Sequence, residues 1–143
     1  MTPLDLSIDR PRGPRVQLNG LIFTARVIDK LRAALPGGNP NGFLPFSGLS
    51  EAWQKYAGID LRELYGIVRD AQNEDEVAAW IAARTAHLDR DAFNSKLESF
   101  VTTRLPESWR PAFESFYPLE LRERHTCMLD LLEADDERLY GSV

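Results

Sequence analysis

Arg26, Asp29 and Lys30 are spaced by three and four residues, so a helix through them carries all three on one face. The arginine guanidinium is a planar fork of donors that matches a carboxylate or phosphate, and the lysine adds a point charge. An acid between them orients a cation or takes an amine or hydroxyl of a ligand. Two further arginines lie upstream in Pro11-Arg12-Gly13-Pro14-Arg15. A leader folded back along that helix face brings Arg12 and Arg15 beside it. The chemistry this set suits is recognition of a small anion, with Arg12, Arg15, Arg26 and Lys30 contacting it and Asp29 orienting them. The same residues have a structural use, in which Asp29 pairs with Arg12 or Arg15 and pins the leader to the helices. Both uses bond Asp29 to an arginine. Only ligand recognition leaves guanidinium nitrogens free and facing a cavity.

Other reactive residue types are sparse. His125 and Cys127 are two apart, so on one helix they point in opposed directions and cannot chelate together. His125 projects with Leu121, Met128, Leu129 and Leu132, as a core or groove histidine or as an acid–base group. Cys127 sits near Arg124 by spacing, and an adjacent arginine lowers a thiol pKa. His87 falls near the end of a helix, where its charge suits the dipole. The Asn19-Gly20 turn opens the first helix and offers free N–H groups to a cap or an anion. The acidic run Glu133–Glu137 reads as a solvated, fraying helix end. No phosphate loop, nucleotide-binding glycine pattern, nucleophile elbow or zincin motif occurs. No cofactor or metal is therefore expected, and whether the chain is an enzyme, with Asp29 or His125 as acid–base, stays open.

The elements that must position these residues are all helical. Period-two alternation never persists and β-branched runs are absent. The expected architecture is all-α: one domain over 1–143, six or seven short helices, an extended arm over 1–20 and a long loop over 36–48. Two prolines keep Asp9–Arg15 out of a helix. The first helix is expected over Leu21–Leu35, with Phe23, Val27, Ile28 and Leu31 inward and Arg26, Asp29, Lys30 and Arg32 outward. Pro36–Gly48 is rich in Gly, Pro and Asn yet holds Phe43, Leu44 and Phe46, which plug the core, form a lid or make an interface. Asp60 and Asn73 head capping boxes, and Asp89 caps the helix that continues through Phe93, Leu97 and Val101. Trp109 to Tyr117 makes a short helix, and the last runs from Leu119 to Leu132 or beyond.

Composition excludes several classes. The 143 residues carry 17 basic and 22 acidic side chains, a net charge of −5, which disfavours nucleic acid as a partner. The basic excess is confined to the first 32 residues, through Arg10, Arg12, Arg15, Arg26, Lys30 and Arg32. One cysteine excludes an internal disulfide. No apolar run reaches bilayer length, and the first nine residues lack the order of a signal peptide, so no membrane partner and a cytoplasmic location are expected.

The arm Pro11-Arg-Gly-Pro-Arg-Val-Gln-Leu-Asn-Gly20 followed by Ala25-Arg-Val-Ile-Asp-Lys-Leu-Arg-Ala33 resembles the bacterial family of domain of unknown function 5069. That family has a Pro-Arg-Ser-Pro-Arg arm, a Leu-Gly-Gly turn and a helix with an Arg-Leu-Ile-Asp-Lys-like run. Gly13 here replaces the serine and Asn19 the first glycine. Ala57-Gly-Ile-Asp60 also looks like a shared turn. The resemblance implies no assigned activity and no inherited catalytic residues. The expected function is binding of a small anionic ligand through the arm and the first-helix face. The alternative is a non-catalytic interaction module or homodimer, joined through the arm and Phe43–Phe46.

Overall fold

A computed structural model describes residues 1–141. Eight α-helices follow one another: α1 (Thr24–Ala33), α2 (Leu49–Ala57), α3 (Leu61–Asp70), α4 (Glu74–Thr85), α5 (Arg90–Glu98), α6 (Arg110–Phe116), α7 (Leu119–Arg124) and α8 (Met128–Tyr140). A 3-10 turn, Glu107–Trp109, leads into α6. The caps form as the sequence predicts. The side chain of Asp60 accepts from the Arg62 N–H, that of Asn73 from Glu76 and that of Asp89 from Ala92.

The first helix is shorter than its apolar pattern and is wrapped on all sides. It begins at Thr24 because Leu18 to Leu21 close a tight turn by paired backbone hydrogen bonds. Asn94 of α5 then clamps that turn: its amide donates to the Gly20 carbonyl at 3.0 Å, and its carbonyl accepts from the Ile22 N–H at 2.9 Å. The Asn19-Gly20 peptide groups thus serve the fold rather than open a helix. Gly20 has φ 77°, and a Cβ there would lie 2.7 Å from the Arg90 side chain. Asn94→Ala leaves two backbone groups without partners and is expected to cost about 1–3 kcal/mol, read as a lower urea midpoint.

Around α1 the core is continuous. Val27, Ile28 and Leu31 pack with Trp53 of α2, Leu64 and Val68 of α3, Ile81 of α4, Leu97 of α5 and Leu129 of α8. The outward face expected for Arg26, Asp29 and Lys30 does not exist: all three are buried, and on this helix only Arg32 is partly exposed. The reason is the arm at Asp29, α8 at Arg26 and the first turn of α2 at Lys30, which cover that side. Residues 1–20 contain no helix. Leu6 is fully buried, and its backbone and that of Leu4 pair with Asn39 after α1. The Tyr140 hydroxyl at the end of α8 donates to the Leu6 carbonyl. Arg10 donates to the Gly141 carbonyl at 3.1 Å.

Two predicted helices are interrupted, and each break has the same cause. The single helix expected over Leu119–Leu132 is split into α7 and α8 by an extended His125–Cys127 segment, which raises the count to eight. The helix expected to run on from α5 through Val101 stops at Glu98. Val101 and Cys127 then face each other as an antiparallel pair, with Thr102 N–H donating to the Thr126 carbonyl and Met128 N–H to Phe100. Backbone bonds between these two remote segments replace two stretches of helix, a tertiary override of local periodicity. The acidic run is corrected too. α8 continues through it to Tyr140, and Asp135 and Asp136 are buried rather than solvated. Among the described residues, no helix is long and apolar enough to cross a membrane.

Candidate functional site

The five candidate residues separate into three positions. Arg12 is docked on α1: its backbone N–H and Nε donate to Asp29 Oδ2 at 2.8 and 3.1 Å, and Nη2 donates to Oδ1 at 3.0 Å. Its remaining donors meet Glu74 in the first turn of α4, with Nη1–Oε2 at 3.1 Å. Arg15 reaches elsewhere. It forks onto Glu98 of α5 at 2.9 and 3.0 Å and also meets Asp130 and Glu133 of α8. Its Nη2 lies 3.6 Å from Cys127 Sγ. Arg26 forms a buried fork with Asp136 of α8, at 2.7 and 3.0 Å, and its Nη1 also donates to the Arg12 carbonyl. Arg12, Asp29 and Arg26 are therefore one cluster, Arg15 is a second, and Lys30 stands one turn along α1. Carboxylates engage the three arginines.

Lys30 has no such partner. It donates to Ser50 Oγ, in the first turn of α2, at 2.7 Å, and no carboxylate of the described residues lies within 4 Å. Its Nζ is 5.7 Å from the Phe23 ring centre. Burial, and then the charge of Arg26, push its pKa down from 10.5 to about 7. Phe23 itself holds φ 67° at the α1 N-cap, a left-handed conformation rare for a bulky side chain. Backbone strain of this sort persists where surrounding structure enforces it, and it clusters at functional sites.

Lys30 and Arg26 line a cavity of about 470 Å³ between α1, the segment before α2, α6 and α8. That volume suits a small organic molecule. Its walls are mainly apolar, including Phe23, Leu49, Leu105, Trp109 and Phe113. From the long loop, Phe43 and Leu44 face it, and the Phe43 ring sits 5.5 Å from the Arg26 guanidinium. Phe46 instead packs near Tyr65 and Arg62 of α3. Tyr117, just past α6, also lines the cavity. Burial pushes its hydroxyl pKa up to about 12, with Asp135 and Asp136 adding to the effect and Arg26 opposing it. Asp135 pairs with Arg138 at 2.7 Å, and burial raises its pKa against that partner. At the mouth Leu44, Phe116 and Leu139 are exposed apolar residues.

Sequence reasoning found Arg26 and Lys30 but missed Asp136, Ser50 and Tyr117. A signal existed for Asp136, since Leu129, Leu132 and Asp136 continue one stripe at helical spacing. An acid on an apolar stripe implies a buried cation opposite. Of the histidines, His125 lies outside any helix, so the argument from helical angles does not apply; its carbonyl accepts from Thr102. His87 is exposed beyond α4, beside a smaller pocket. Among the described residues no three His, Cys, Asp or Glu side chains are grouped to hold a metal.

The family model described as Domain of unknown function (DUF5069) matches residues 8–138. That span takes in residues 8–20 of the arm, Arg26, Lys30 and Asp136. No curated protein matches the chain.

Proposed function

We propose, for this chain that belongs to the DUF5069 family, that the cavity beside α1 binds a small carboxylic acid with an apolar body, acid end inward. One observation carries the reading. Of the two buried cationic side chains among the described residues, Arg26 is neutralised by Asp136, whereas Lys30 meets a hydroxyl and the Phe23 ring but no carboxylate. A buried charge without a counter-ion is costly, and a ligand carboxylate supplies what the fold leaves out. The apolar walls and the exposed Leu44, Phe116 and Leu139 at the mouth set the polarity of the ligand: charge at the floor, hydrocarbon toward the opening. Arg12 and Arg15 then act indirectly, by holding the arm and the α5–α8 junction around the site.

The groups near Lys30 decide how binding depends on pH. Around the cavity that Lys30 lines are Arg26 from α1, Asp135 and Arg138 from α8, Tyr117 after α6 and the exposed Glu51 from α2, with Asp136 held against Arg26. Arg26 with Asp136 and Arg138 with Asp135 are paired, and Tyr117 keeps its proton to about pH 12. Lys30, brought to about 7 by burial and the Arg26 charge, titrates near neutrality. Only its charged form attracts a carboxylate, so affinity follows the protonated fraction. Octanoate binding, followed by Trp fluorescence, is expected to be tightest below pH 7. It weakens as pH rises, by up to about 100-fold at pH 9. Absence of octanoate binding at pH 6, or binding indifferent to pH, overturns the reading.

A further inference from the structure

We propose that Lys30 is a covalent site, where its side-chain nitrogen condenses reversibly with the carbonyl carbon of a 2-oxo acid whose apolar chain fills the cavity. The inference rests on the reading of the cavity as a site for an acid with an apolar body, and it names the ligand class within that reading.

Three features of the site carry it. Lys30 lines the cavity, and its nitrogen is held by a single hydrogen bond, to Ser50 Oγ at 2.7 Å. No carboxylate locks it as an ion pair, the usual state of a buried lysine and one that blocks nucleophilic attack. Burial and the nearby Arg26 charge keep about half of it neutral at pH 7, so both the form that attracts an acid and the form that attacks a carbonyl are present. A 2-oxo acid exploits both. Its carbonyl carbon is bonded to its carboxylate carbon, so seating the carboxylate against the nitrogen brings the electrophile to about 3–3.5 Å.

The step balances without any oxidant or reductant. The nitrogen lone pair forms the C–N bond and the carbonyl π electrons move to oxygen. One amine proton passes to that oxygen, with the Ser50 hydroxyl placed to relay it. The second amine proton leaves with the oxygen as water when the C=N bond forms. Protonation of the imine restores a positive charge beside the ligand carboxylate, so the charge pairing of the bound acid survives the reaction. The surrounding apolar walls limit the water that reverses it.

The chain has three lysines, Lys30, Lys55 and Lys96, which makes the test direct. The protein at pH 7.5 is incubated with octanoate or with 2-oxooctanoate. Binding is read by fluorescence, and cyanoborohydride is then added to reduce any imine to a stable amine. Peptide mass spectrometry locates the adduct. The expected result is binding of both acids, with adduct from 2-oxooctanoate alone and at least about tenfold more on Lys30 than on Lys55, Lys96 or the Met1 amine. The same reaction in concentrated urea labels the three lysines alike. If both acids bind and Lys30 carries no more adduct than the other amines, the covalent role is overturned and the binding site stands. If neither acid binds, the reading of the cavity falls and the covalent role falls with it.

Discussion

Lys30→Met is expected to make the protein more stable at pH 6 by about 1–3 kcal/mol, and at the same time to weaken octanoate binding by at least about tenfold. The gain arises because methionine fills a similar volume with no charge to desolvate. Loss of the hydrogen bond to Ser50 offsets about 1 kcal/mol of it. For a chain of this length the net change amounts to a rise of roughly 3–10 °C in Tm, measurable by thermal denaturation. Its pH dependence has a definite sign. The folded-state pKa of Lys30 lies near 7 and the unfolded value near 10.5, so the unfolded chain binds more protons between them. Wild-type stability therefore climbs from pH 7 to 10.5 on account of this group. The advantage of Lys30→Met is greatest below pH 7 and gone above about pH 10.5. A lysine that served only the fold would show lower stability on replacement and no change in ligand affinity. Opposite movements of stability and binding are the mark of a residue kept for its chemistry.

The second large effect is at the Arg26–Asp136 pair. Asp136→Ala leaves a guanidinium that is 3% exposed without its carboxylate, and a loss of about 3–5 kcal/mol is expected from urea denaturation. Removing both charges, in Arg26→Met with Asp136→Leu, is expected to return stability to within about 2 kcal/mol of wild type, because neither buried charge is then stranded. The cycle of the four proteins gives the coupling between the two residues. The double replacement also removes the Arg26 charge that helps depress Lys30, so the lysine pKa rises. Octanoate binding in that variant is expected to persist to higher pH than in wild type. Equal damage from the double and single replacements would mean that Arg26 acts through packing, against Phe43 and Arg12, rather than through its charge.

Those two residues also show how far a linear reading of this chain reaches. The helical class, the caps at Asp60, Asn73 and Asp89, and the non-helical arm follow from local physics: hydrogen bonds spanning two or three residues, the fixed φ of Pro11 and Pro14, and apolar spacing along each segment. Asp29 bound to an arginine of the arm was legible as well, since a helix acid and a proline-stiffened basic leader lie close in the chain. The fate of each charge was not. Asp136 is 110 positions from Arg26, Glu74 is 62 from Arg12 and Glu98 is 83 from Arg15. Periodicity assigns a residue to a face but does not say whether that face meets water or another helix, and the arm, α2 and α8 bury the face of α1 that looks polar. Only the assembled fold decided that the arginines would be neutralised and Lys30 left without a counter-ion, because such pairing is settled by distances between segments remote in sequence.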